Sequence, residues 1–254
     1  MENILPIHLQ EVVFSSSDKN LSKQISKLEK AGEIRKIAPR IYTSNLIDEP
    51  EVIITKNIFT ILGKLYPNSV LSHRSALEFA PTSAGHIFVT YTYTKKIKLP
   101  GITIRFKEGN GPIEGDNLFS GELFVSQQER AFLENLQVSR QPRPESKTLT
   151  LPEIEAKLEQ IVRVNGEDGI NKVRDNARVI AGRLGMQSEY AKLNRLISAL
   201  LSTKPSKILS SPIAMARAFG NPYDPARISL FETLFQHLKQ NEFGNIPEIN
   251  TDKT

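Results

Sequence analysis

The stretch Ser17–Ser44, SDKNLSKQISKLEKAGEIRKIAPRIYTS, decides how the N-terminal part of this chain is read. Leu21, Ile25 and Leu28 recur at i, i+4 and i+7, which predicts a short helix with one apolar stripe. Ser17 is the expected N-cap, its hydroxyl meeting an unpaired backbone N–H, and Gly32 is the expected stop. Lys19, Asn20, Ser22, Lys23, Gln24, Ser26, Lys27 and Lys30 occupy the rest of the helix surface. Ile34–Ile37 and Arg40–Thr43 then read as two short strands around Ala38-Pro39. A basic helix followed by a small hairpin is the order of a recognition helix and its wing. The helix needs one face for the core, so the other can lie in a major groove while wing cations touch phosphate. On that reading Lys19, Asn20, Lys23, Gln24 and Lys27 face double-stranded DNA, and Arg35, Lys36 and Arg40 point outward to hold its backbone. The same composition also describes a helix that merely faces water. Residues 17–40 carry seven cations against three acids, a moderate patch.

The order of elements around this stretch resembles AbiEi-type antitoxins, the transcriptional regulators of type IV toxin–antitoxin pairs. The likeness begins in LEKAGEIRKIAPRIYTS, with Leu28, Gly32, Ile34, Ile37, Ile41 and Tyr42 at the matching positions. It continues through SVLSHRSALEFA, HIFVTYTY, LPGITIRF and VSQQERAFLENL. The resemblance implies a winged-helix DNA-binding regulator that controls its own operon, with a possible homodimer on a palindromic or directly repeated operator. One departure stands out: the residues before the helix have room for one short helix, Leu5 to Phe14, where the family usually has two.

Composition sets the outer bounds. The chain has 254 residues, enough for more than one modest domain, and a formal charge of +5, which permits nucleic-acid binding without requiring it. It has no cysteine, so disulfides and thiolate metal sites are excluded. The N-terminus lacks a signal-peptide layout and no apolar run approaches the roughly 18 residues of a membrane span, so a cytoplasmic location is expected.

The expected fold class is α+β and multi-domain. A winged helix over residues 1–48 precedes a mixed α/β region with a small antiparallel sheet over 49–148, and an all-helical part follows over 149–254. Within the middle part, Glu49–Leu65 has helical spacing, and a short helix capped by Ser72 comes next. Ile87–Tyr93 and Ile102–Phe106 alternate as half-buried strands, joined by a basic turn at Lys95–Gly101. Ser126-Gln-Gln-Glu129 reads as a capping box, and Gly109–Pro112 as a hairpin turn. Residues 54–108 hold eight Lys or Arg and two acids, the most lopsided part of the chain. Residues 139–149 have the composition of a linker. Beyond it, Thr150-Leu-Pro-Glu153 is a second capping box, Asn165-Gly166 a helix break and Gly185 a helix stop, while Ser211-Pro212 and Asp224-Pro225 mark two further helix starts.

The helical part carries a second resemblance. NGEDGINKVRDNARVIAGRLGM, LNRLISALLSTKP and SPIAMARAFGNPYDPARISLFETL resemble the region that precedes the catalytic domain in some Fic-family proteins. This implies a partner-docking segment for a cognate toxin or a Fic-type domain. The implication stops there, because the His-Pro pair of Fic catalysis occurs nowhere in the sequence.

Candidate chemistry is sparse. His8, His73, His86 and His237 are scattered without metal spacing. Ser72-His73 are neighbours rather than a triad. Gly109–Gly115 has no Gly-Lys-Ser/Thr and is not a phosphate loop. The expectation is a protein with no catalytic residues, no metal and no cofactor. Tyr91 and Tyr93 beside Lys95, Lys96 and Lys98 could form a stacking platform for single-stranded nucleic acid, although a tyrosine pair on a strand is more often core.

Overall fold

The computed structural model describes residues 6–137 and 145–202. The helix starts at Ser211-Pro212 and Asp224-Pro225, His237 and most of the linker-like stretch lie outside the described residues. Contacts group the chain into two compact units, residues 1–196 and 197–254. The fold is α+β.

The N-terminal part is a β-α-β-β unit. A three-residue 3-10 turn, Ile7–Leu9, leads into β1 (Val12–Phe14), so the short helix expected over Leu5–Phe14 is not formed. Val12 and Val13 are β-branched, and pairing with β3 (Ile41–Thr43) gives their backbone a ladder that an isolated turn of helix could not match. Helix α1 (Lys19–Lys30) is capped one residue later than expected: the Asp18 carboxylate accepts from Leu21 N–H at 2.8 Å. At its other end Gly32 takes φ +74°. Its N–H donates to Glu29 O and that of Glu33 to Leu28 O, a Schellman closure that needs a left-handed residue. Strand β2 (Arg35–Ala38) then pairs with β3, giving the order β1-β3-β2.

This small sheet is covered on both sides. Val13 and Tyr42 share a face and pack with Ile25, Leu21, Leu28 and Ile34 under α1. Val12, Ile41, Ile37 and Ala38 belong instead to the main core, against Ile53, Ile54 and Ile58 of the next helices. Those helices are α2 (Pro50–Lys56) and α3 (Ile58–Leu65), where one helix was expected over Glu49–Leu65. Asn57 leaves the helical region and its side chain turns back to Ile53 O and Glu11.

The central sheet has six strands, more than the small antiparallel sheet expected. Its order is β6-β7-β5-β4-β9-β8, with β6 Lys95–Leu99, β7 Ile102–Glu108, β5 His86–Tyr91, β4 Val70–Leu71, β9 Leu123–Val125 and β8 Asn117–Ser120. The β5–β7 and β4–β9 pairs are parallel and the others antiparallel. Strand β5 is buried along both faces rather than half-buried, as its central position between parallel and antiparallel neighbours requires. The basic turn expected at Lys95–Gly101 is instead the edge strand β6, whose lysines guard an open ladder. Gly109–Pro112 is no hairpin turn, since β7 and β8 do not pair.

Two short helices follow strands β4 and β9: α4 (His73–Glu78) and α5 (Gln128–Asn135). The capping box expected at Ser126 is absent. Gln127 is the cap position, and the Ser126 hydroxyl donates to Leu71 O. By contrast the Thr150–Glu153 box forms in full at the start of α6 (Leu151–Leu184), whose helical geometry breaks at Gly166 and ends at Gly185, both with positive φ. The apolar stripe of α6, including Ile154, Leu158, Ile161, Ile170, Val173 and Ile180, is buried, and the helix packs along α5. Helix α7 (Gln187–Ser202) follows.

Candidate nucleic-acid interface

With Leu21, Ile25 and Leu28 turned to the sheet, everything else on α1 faces solvent. At 3.6 residues per turn Lys19, Lys23, Lys27 and Lys30 fall within roughly 80° of arc, opposite the apolar stripe. Ser22 and Ser26 lie on the same side, while the acids Asp18 and Glu29 sit at its flank. Lys23, Lys27, Lys30 and the two serines line a shallow groove of about 420 Å³. None of these four lysines is in an ion pair with a described residue. Asn20 and Gln24, also exposed, border the stripe and supply the donor–acceptor amides that can read base edges. Lys30 was not among the expected contacts. The spacing Lys23–Lys27–Lys30 is the signal that marks it.

The hairpin is less free than its sequence suggests. Successive residues on a strand point to opposite faces, so Arg35 and Lys36 cannot both face outward on one side. The register opposes Lys36 to Tyr42 and Val13, on the α1 side of the sheet, where Lys36 is exposed. Arg35 opposes Thr43 and Val12 on the other side. There it is half-buried and its guanidinium donates to the Asp48 carbonyl. Arg40 occupies the turn with φ +67°, exposed, and its charge acts on the Tyr66 hydroxyl of the central part. Because Ile37, Ala38 and Ile41 are in the main core, the hairpin tip is anchored rather than free to swing. Six of the eight expected contact residues, Lys19, Asn20, Lys23, Gln24, Lys27 and Lys36, thus belong to one side of the unit, and Arg35 and Arg40 turn elsewhere.

Tyr91 and Tyr93 do not make an open platform. They meet edge-to-face at 5.0 Å and both pack on Phe106, and Tyr91 also meets Tyr66, so the pair belongs to an aromatic cluster of which only Tyr93 is exposed.

Ser72 and His73 are wired in a way their sequence does not reveal. Ser72 Oγ lies 3.0 Å from His73 Nδ1, and no side-chain cap is made. The nearest carboxylate, Glu134, accepts from the His73 backbone N–H at 2.9 Å and leaves the ring alone. A triad needs that carboxylate on the imidazole, which this arrangement does not provide. The Glu134 carboxylate is also held by Arg130 Nε at 2.9 Å. Arg130 in turn donates to Asp116, Gly111 O and Asn110 O, fastening the loop between β7 and β8. Among the described residues no three His, Asp or Glu converge as metal ligands, and no helix is long and apolar enough to cross a membrane.

Comparison with protein-family models, with curated proteins and with solved structures finds no match for this chain.

Proposed function

We propose that this protein is a sequence-specific DNA-binding transcriptional regulator of the antitoxin type, acting in the cytoplasm without a cofactor and controlling its own operon. Helix α1 enters the major groove. Lys19, Lys23, Lys27 and Lys30 meet phosphates, Asn20 and Gln24 read base edges, and Lys36 adds one backbone contact from the hairpin. The observation that carries this reading is the acid-free stripe of four lysines, unpaired with any described residue and opposite the buried side of α1. A helix that only had to be solvated would gain by mixing its charges, since like charges at i,i+4 repel. A stripe of one sign is favoured when a polyanion supplies the counter-charge. At about 18 Å for its twelve residues, α1 is long enough to follow a groove for several base pairs.

The partner-docking role implied for the helical part has less support. The apolar stripe of α6 is already buried within the chain, so residues of that helix are not a free docking face.

Fluorescence-anisotropy titration with DNA upstream of the gene, against a scrambled duplex of equal length, tests the proposal. Selective binding that weakens steeply with salt is the expected result. Equal weak binding to both duplexes would exclude a sequence-specific regulator and turn attention to a protein partner.

A further inference from the structure

The outer face of the β6–β7 edge holds a group of cations that α1 does not account for. In this antiparallel pair Lys96 stands directly opposite Arg105, and Lys98 opposite Thr103. Ile97 and Leu99 turn the other way and pack on the main core with Ile102, Ile104 and Phe106, so Lys96, Lys98 and Arg105 share the opposite face. Lys96 and Lys98 are exposed and Arg105 is half-buried. Strands β5, β6 and β7 carry no acid on this face, since Glu108 alternates onto the other. None of the three cations is in an ion pair with a described residue. The partner that aims Arg105 is neutral. His86 Nδ1 lies 3.2 Å from the Glu145 carbonyl, which can only accept, so Nδ1 carries the hydrogen and Nε2 accepts from Arg105 Nη2 at 3.4 Å. Arg105 Nε is buried with no hydrogen-bond partner.

Guarding an open edge accounts for Lys95, Lys96 and Lys98 but not for Arg105, which lies on the second strand. Like charges directly opposite each other on a sheet repel, and a guanidinium without a carboxylate lacks its best acceptor. An anion lying over this face relieves the repulsion and supplies the counter-charge. We infer that Lys96, Lys98 and Arg105 form a second contact surface, for the phosphate backbone of double-stranded DNA, which adds affinity without reading sequence. Lysines two residues apart on a strand repeat their charge every ~6.8 Å, which suits a polyanion of regular spacing. The apolar side chains of β6 face the core, so an acidic protein would find no anchor here beyond charge. Tyr91 and Tyr93 pack with Phe106 on the core side, so the bases of a single strand would have no ring to stack on beside these cations. A duplex needs neither, because its outer surface is phosphate. The surface stands apart from the α1 reading, since backbone contact requires no operator.

The test uses the full chain, titrated at several salt concentrations with the upstream duplex and with a scrambled duplex of equal length. The Lys96→Gln, Lys98→Gln variant should lose about ten-fold in affinity and about two counterions of salt slope on both duplexes alike, leaving the ratio between them unchanged. Arg105→Gln, which leaves the edge lysines in place, should lose about one counterion in the same way. If either variant fails to fold or self-associates, the other carries the test. Unchanged slopes on both duplexes in a folded variant overturn the inference, and self-association of the lysine variant with an unchanged slope for Arg105→Gln would leave β6 as a guarded edge only. The Lys23→Glu, Lys27→Glu variant should lose selectivity but keep weak binding to both duplexes, and adding Lys96→Gln and Lys98→Gln should remove that remainder. Equal binding of the wild type to both duplexes would sink the α1 reading alone, provided the β6 variant still lowers the slope, so the two failures are distinguishable.

Discussion

The lysines of α1 and the lysines beside His73 are two answers to the same problem of placing like charges together. On α1 the four ammonium groups are spread along one solvent-exposed helix face, where water screens them and no described carboxylate is recruited. Around His73 two ammonium groups are brought onto one amide oxygen, half out of water, and the chain tolerates a left-handed backbone at His73 beside them. The first arrangement costs the fold almost nothing and is open to a long polyanion. The second is built into the packing of several elements. Exposure therefore predicts what mutation does: at α1 binding should change and stability should not, while around His73 stability should change.

The largest stability effect should come from Arg130, the 2 % exposed guanidinium that ties Glu134 to the β7–β8 loop. Arg130→Met should lower unfolding free energy by about 3–5 kcal/mol, because it strands buried carboxylates without their partner. Urea denaturation measures it, and a loss under 1 kcal/mol would mean that this network is not what supports the His73 side of the molecule. Next comes pH. His73 titrates near 3 in the folded state against an ordinary 6.5, so on acidification the unfolded chain takes up the proton first. Its contribution is intact above about pH 6.5 and is lost as pH falls, leaving stability about 2 kcal/mol lower near pH 5 than near pH 8. His73→Asn, with a residue that accepts positive φ, should flatten that slope in denaturation series at several pH values. An unchanged slope would place the proton uptake elsewhere.

Smaller effects sharpen the contrast within the N-terminal unit. Asp18→Ala removes the cap of α1 and should cost about 1 kcal/mol. Arg35→Ala and Lys36→Ala are neighbours with opposite expectations. Lys36→Ala should reduce the salt dependence of DNA binding by about one counterion with stability intact. Arg35→Ala should lose the bond to the Asp48 carbonyl, costing about 1 kcal/mol of stability, with the salt slope unchanged. If both variants alter the slope equally, the register-based split between the two faces of the hairpin fails.

Much of the first region was legible because its information is local. The i, i+4, i+7 spacing of Leu21, Ile25 and Leu28, the stop at Gly32 and the capping box at Thr150 are all written within a few residues. Errors entered where partners distant in sequence decide the outcome. Val12–Phe14 became a strand because β3 offers a ladder, and Lys95–Leu99 became an edge strand because β7 does. The two-residue β4 has no periodicity to detect, yet it joins the halves of the central sheet. The His73 cluster was invisible for the same reason. Its members come from positions 73, 107, 137 and 147, and nothing in the spacing of those residues announces that they meet.

The most direct test of the account is the slope of log Kobs against log salt concentration for operator DNA, compared between the wild type and the Lys23→Glu, Lys27→Glu variant. The account predicts a steep negative slope for the wild type. In the variant the slope should be shallower by about two counterions and the affinity lower by at least about a hundred-fold, with Tm within a degree or two of the wild type. Equal slopes and affinities in two equally stable proteins would contradict it, and α1 would then be a solvated helix and not a DNA-reading one.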